Sequence, residues 1–173
     1  MTSVFIGGSR RVVKFDDEVK DRIDRIIEKR FPVLVGDANG ADRAVQSYLA
    51  SKRYELVELF CSQGVCRNNI GGWPVHSVPV ATKRKDFQFF AAKDRAMAAE
   101  ASHGLMLWDG ESAGTAMNAY RLTQANKMVA VYVAPTHSFF ELRSVADWPE
   151  FLARCSPALR HKIESEISAE RGE

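Results

Sequence analysis

No apolar run in the chain approaches the roughly 20 residues that a membrane-spanning helix needs, so the sequence reads as soluble. Charge of one sign is also lacking. The 24 Lys and Arg nearly balance 22 Asp and Glu, and a formal net charge of +2 is too small to argue for a nucleic-acid or membrane partner. Cysteine is scarce, and its count is odd: Cys61, Cys66 and Cys155. The opening residues, Met1-Thr2-Ser3-Val4-Phe5-Ile6, have no basic region and soon enter glycines, which is not a signal-peptide pattern. The expectation is therefore reduced thiols in the cytoplasm. The Cys61–Cys66 spacing is slightly wide for a zinc knuckle, no second Cys/His pair follows closely, and only His76 stands nearby, so no metal site is expected. His76, His103, His137 and His161 are scattered without the spacing of a catalytic dyad, and Ser9 lacks a nucleophile-elbow context.

What is present is an alternation of buried strands and amphipathic helices. Val4–Ile6, Val33–Val35, Leu56–Phe60, Gly104–Trp108 and Met128–Val133 are apolar or β-branched without strict alternation, as in a parallel sheet covered on both faces. Between them the spacing predicts helices from Asp16 or Asp17, with Val19, Ile23, Ile26 and Ile27 on one face, and over Ala41–Lys52, Asp86–Ala101 and Ser112–Ala125. The fold class is therefore α/β: a Rossmann-like, doubly wound, mainly parallel sheet of about five strands with helices on both faces. No repeat, low-complexity segment or linker divides the chain, so residues 1–173 read as one domain. Its core spans about 4–133, and a helical C-terminal extension spans about 136–173. Within that extension Asp147-Trp148-Pro149 and Ser156-Pro157 look like helix starts. Residues 61–85 hold Gly64, Gly71, Gly72, Pro74 and Pro79 with little periodicity, and read as a long functional loop.

Three glycine-bearing loops follow three of these strands. In a doubly wound sheet that position is the C-terminal edge, where ligands bind. The first is Gly7-Gly8-Ser9-Arg10-Arg11. Its glycines allow backbone N–H groups close to a phosphate, Ser9 can donate a hydrogen bond, and Arg10 can pair in a fork; alternatively it is a plain turn. The second, Gly36-Asp37-Ala38-Asn39-Gly40-Ala41-Asp42, leads into a helix N-terminus suited to an anion, and Asp42 reads either as a cap or as an acceptor for ribose hydroxyls. The third, Asp109-Gly110-Glu111-Ser112-Ala113-Gly114-Thr115, is a second helix start, with Ser112 as cap or the whole as a phosphate cradle. Three such loops on one sheet edge favour a composite site over three independent turns.

These loops resemble those of the SLOG superfamily, the Rossmann-like group that includes the Lonely-Guy phosphoribohydrolases and the DNA-processing protein A fold. The matching pieces are Gly7-Gly8-Ser9-Arg10, then Gly36-x-Ala38-x-Gly40-Ala41-Asp42, then Lys93-Asp94-Arg95-x-Met97 leading to Trp108-Asp109-Gly110-x-Ser112-x-Gly114-Thr115. The resemblance spans roughly residues 4–133 and is nearest to stand-alone members. It implies a nucleotide or nucleotide-derived ligand, a role for Arg95 in phosphate binding, no required cofactor, and a homodimer. In the Lonely-Guy hydrolases glutamates follow the Gly-Thr pair. Here Met117 and Asn118 stand there, and neither can act as nucleophile or general base.

Other carboxylates share the edge, namely Asp37, Asp42, Asp109 and Glu111, so Glu111 and Asp109 are the candidates for N-glycosidic cleavage. Lys83-Arg84-Lys85, with Arg67, Lys93 and Arg95, reads as a phosphate-binding cluster or a solvated charge run. Phe87, Phe89 and Phe90 beside it, like Trp73 and Trp108, read as base-stacking rings or as core. The leading expectation is a nucleotide sensor or carrier. An N-glycosidase and a nucleic-acid-binding module are the alternatives.

Overall fold

The apolar run that opens the chain is the centre of the molecule. In the computed structural model, which describes residues 1–64, 66–81 and 84–172, Val4–Gly8 forms strand β1. Around it lie β2 (Val33–Gly36), β3 (Val57–Ser62), β4 (Val75–Val78), β5 (His103–Trp108), β6 (Met128–Val133) and β7 (Ser138–Leu142). The sheet order is β4-β3-β2-β1-β5-β6-β7, parallel throughout except for the β6–β7 pair. The fold is thus α/β with a mixed, mainly parallel sheet of seven strands.

Side chains alternate along β1 and feed two cores. Val4 and Ile6 join a layer beneath helices α1 (Asp17–Glu28) and α2 (Ala41–Ser51), through Val19, Ile23, Val45 and Leu49. Phe5 joins the opposite layer, beneath α3 (Phe87–Glu100), α4 (Ala113–Gln124), α5 (Trp148–Ala153) and α6 (Pro157–Arg171), through Met97, Met117, Phe151 and Ile163. The last two helices start where expected: Pro149 occupies the first turn of α5, and the Ser156 hydroxyl accepts from the Leu159 N–H at the start of α6. No helix among the described residues is long and apolar enough to cross a membrane.

Three expectations need correction. Residues 61–85 are not loop throughout, because Val75–Val78 adds β4 at the sheet edge; only Val78 of its four residues is buried, which hides it from an apolar-run criterion. The C-terminal extension is not wholly helical, since Ser138–Leu142 turns back as the antiparallel edge strand β7. Cys61 and Cys66 are joined in a disulfide rather than held as free thiols, while Cys155 is free and buried. Of the basic triplet at 83–85, Lys83 lies outside the described residues.

One close approach fixes where β1 and β5 meet. A Cβ on Gly8 would lie 2.3 Å from the Leu107 carbonyl oxygen and 2.8 Å from the Ala41 Cβ. Leu107 is held in the β1–β5 ladder and Ala41 by its N–H bond to the Ser9 carbonyl, so Gly8→Ala is expected to cost about 1–3 kcal/mol. Urea unfolding reads this as a lower midpoint; an unchanged midpoint would show that the contact yields freely.

Candidate functional site

Winding reverses at β1. The chain builds outward through β2, β3 and β4, then crosses to β5 on the other side, which leaves a crevice beyond the C-terminal ends of β1 and β5. A cavity of about 690 Å³ occupies it, within the range of small-molecule sites. All three glycine-bearing loops reach it. Gly7, Gly8 and Arg10 come from the first, Ala38 and Asp42 from the second, and Asp109, Glu111, Ser112, Gly114 and Thr115 from the third.

Local chemistry explains how these loops are held. The Ser9 hydroxyl is buried, lies 3.1 Å from the Thr115 hydroxyl and accepts from the Asp109 N–H at 3.1 Å. Ser9 thus ties the first loop to the third instead of facing the cavity. Gly40 caps α2 at φ +83°, and a Cβ there would meet the Arg10 backbone oxygen at 2.2 Å, so the second loop packs directly on the first. The Ala41 N–H donates to the Ser9 carbonyl at 3.1 Å, closing the same junction. Asp109 accepts from the N–H groups of Glu111 and Ser112 at 2.9 and 2.7 Å, and Gly110 supplies the positive φ of that turn. Ser112 accepts from the Thr115 N–H and caps α4. The first N–H groups of a helix lack intrahelical partners, and Ala113 and Gly114 present that end of α4 to the cavity. The Arg10 guanidinium has no ion-pair partner among the described residues.

The floor carries a buried charge cluster that the loop motifs did not announce. The Lys93 ammonium lies 3.1 Å from Asp94, 3.5 Å from Asp42 and 3.9 Å from Asp37. Burial alone would lower its pKa, but the three carboxylates outweigh this and hold it above the usual lysine range, so Lys93 is a fixed cation. Asp42 is raised, chiefly by burial, against the opposing pull of Lys93. It accepts from the Ala38 N–H at 3.1 Å. Asp37 is desolvated too, yet stays below the ordinary aspartate range because Arg67 grips it. The Arg67 backbone N–H and Nη2 reach its two oxygens at 2.9 Å each, and Nε donates at 3.2 Å. Gly36 makes room for the cluster: a Cβ there would stand 2.4 Å from Lys93 Nζ and 2.5 Å from Asp42 Oδ2. Asn118 donates to Asp94 at 3.3 Å beside the cavity.

The remaining candidates divide. Gly36, Asp37, Gly40, Ala41 and Gly110 support the loops behind the cavity wall. Arg95 points away from the cavity, engaged by Glu170 and Gln88, so the phosphate role attached to it does not match its position. Glu111 forms an exposed pair with Arg11 at 2.9 Å, and both oxygen-bearing candidates for cleavage, Glu111 and Asp109, are occupied in holding the third loop or its rim. Trp73 and Trp108 are core, their indole N–H groups donating to the carbonyls of Tyr54 and Ser112. Phe89 is core as well, whereas Phe87 and Phe90 line the cavity and Phe87 is exposed. His76 lies away from the cysteine pair, stacked on Phe60 and 3.1 Å from Glu58. Lys93, read from the sequence as phosphate-binding or as part of a solvated charge run, is instead buried against carboxylates; Phe89, Lys93 and Met97 recur every fourth residue, the spacing of one inward helix face.

In comparisons with protein-family models, with curated proteins and with solved structures, nothing matches this chain.

Two outcomes follow from the cluster. Lys93→Met leaves three carboxylates facing one another and is expected to cost about 3–5 kcal/mol at neutral pH. Adding Asp42→Asn should return part of that loss in denaturant titrations, and no recovery would mean that Lys93 acts by packing alone. Arg67→Met removes charge-assisted bonds worth about 1.5–3 kcal/mol. Because Asp37 has a lowered folded pKa, its contribution is present above the ordinary aspartate range of about 4 and fades as pH falls through the folded value. The stability gap between the wild type and Arg67→Met should therefore narrow below about pH 4, and a gap constant with pH would contradict the ionic role.

Proposed function

We propose that the cavity binds a nucleotide or nucleotide-derived ligand and that the protein serves as a sensor or carrier of it. The observation that carries this reading is the convergence on one cavity of two kinds of anion-binding group: the glycine backbone with Arg10 after β1, and the N-terminus of α4 at Ala113, Gly114 and Thr115. A phosphate between them would meet N–H groups and the Arg10 guanidinium, which has no ion-pair partner among the described residues, at a helix end where the Thr115 hydroxyl donates to Ser112 and holds the turn in shape. Carboxylates stand further in, at Asp42 and Asp94, where sugar hydroxyls can donate. Phe87 and Phe90 offer ring faces for a base at the rim. The resemblance of the three loops to SLOG domains supports the same reading, and membership of that superfamily is part of the proposal.

Cleavage of an N-glycosidic bond is the second reading. What favours it is the pair Asp42 and Asp94 lining the cavity, two carboxyl groups from different helices that face the same space. In this reading those two carboxylates, rather than Glu111 and Asp109, face the glycosidic bond.

A thermal-shift screen against nucleoside phosphates, NAD, ADP-ribose and cyclic dinucleotides, with chromatography of each mixture, separates the readings. Stabilisation with intact ligand supports binding, while free base in the mixture supports cleavage. For a ligand found this way, Arg10→Ala and Thr115→Val should each weaken affinity about tenfold, or ~1.4 kcal/mol, without unfolding the protein. Asp42→Asn should weaken ribose-containing ligands more than inorganic phosphate. Unchanged affinity in both Arg10→Ala and Thr115→Val would remove the phosphate site.

A further inference from the structure

The disulfide is unexplained by ligand binding, yet it sits next to an ion-paired cation of the cavity wall. Cys61 is fully buried near the C-terminal end of β3, and Cys66 is half-buried five residues later. The residue after Cys66 is Arg67. Its backbone N–H and guanidinium both bind Asp37, and the guanidinium also lies over the Phe90 ring, 4.4 Å from the centroid. Arg67 and Phe90 line the cavity. Asn68 continues the contact by donating to the Asp37 carbonyl at 2.8 Å and to Asn39 at 3.0 Å. The chain is thus fastened covalently at 66, ionically at 67 and by hydrogen bonds at 68, all onto the ends of β2 and β3.

We infer that the Cys61–Cys66 disulfide is a redox latch that holds Arg67 in the cavity wall. With the bond closed, Cys66 cannot leave β3, and Arg67 is presented to Asp37 with little further loss of chain freedom. With the bond open, the contacts at 67 and 68 must themselves hold a glycine-containing segment that includes Gly64. Arg67 then leaves Asp37 more often, taking its charge away from the cavity and from the Phe90 face. The effect on a ligand rests on the nucleotide-binding reading; the effect on Arg67 does not.

The chemistry is thiol–disulfide exchange with a dithiol reductant. One thiolate of the dithiol attacks the Cys66 sulfur, the more accessible of the two, forming a mixed disulfide and releasing Cys61 as a thiolate that takes up a proton. The second thiol of the reductant then attacks the mixed disulfide. It leaves as a cyclic disulfide, and Cys66 is released as a thiol. Two electrons and two protons pass from reductant to protein, and a small-molecule disulfide reverses the exchange.

The test uses the full chain without any ligand. Alkylation in denaturant followed by mass measurement should count one thiol, Cys155, in the oxidised protein and three after dithiol treatment. Under native conditions, trypsin should cut after Arg67 roughly tenfold faster in the reduced protein, because cleavage follows the population of the open segment. Cleavage after Arg43 in α2 should keep its rate. Cys66→Ser should give the fast rate with and without dithiol, and the reduced wild type supplies the same comparison without a substitution. Three thiols before reduction, an equal rate after Arg67 in both states, or equal acceleration at Arg43 would each overturn the latch. Since no nucleotide enters the assay, a failed ligand screen and a failed latch are separate results.

Discussion

The reversal of winding at β1 is the constraint on which the rest of the molecule depends. The crossovers from β1 to β2 and from β2 to β3 place α1 and α2 on one face, and those leading to β5 and β6 place α3 and α4 on the other. Because successive crossovers leave in opposite directions at this strand, the ends of β1 and β5 open into a crevice. Gly8 allows the two strands to run in contact up to that edge, and Gly40 lets the second loop rest on the backbone of the first. The crevice is therefore a product of topology, while its depth and polarity come from a few small residues.

The charge cluster below the crevice obeys a different logic. Two cations, Lys93 and Arg67, face Asp37, Asp42 and Asp94, which come from three separate elements. Burying such groups repays its desolvation only when each charge is met by several partners. Lys93 is met by all three carboxylates, and Asp37 by both cations. The arrangement fixes the mutual position of β2, α2 and α3 at the cavity floor, and it leaves Asp94 and Asn118 lining the cavity. Specific placement, more than net stability, is what such a cluster contributes.

The parts of the fold legible in sequence were those whose burial is two-sided. β1, β2, β3, β5 and β6 are apolar runs because both their faces are covered. The edge strands β4 and β7 escaped: Val75-His76-Ser77-Val78 is mostly exposed, and Ser138–Leu142 lies among residues with helix-start signals. At the site, glycines and caps marked the three loops, since close backbone approach admits few residue types. Position along a helix was less legible. Lys93 and Arg95 look alike in a charged run, yet two residues of helix turn one into the core and the other toward Glu170. The disulfide was hidden for another reason, because a cysteine count says nothing of which sulfurs the fold brings together.

The cavity wall is completed from far along the chain. Lys162, on α6, lines the same space as Gly7, and Glu170 at the end of that helix holds Arg95 of α3 and Arg121 of α4. Every strand of the sheet precedes α6. The sheet does not include α6, so the cavity wall at Lys162 is present only while that helix stays docked. Any molecule held there would bridge the central strand and the last helix, and would oppose the detachment of α6 more than the fraying of any strand.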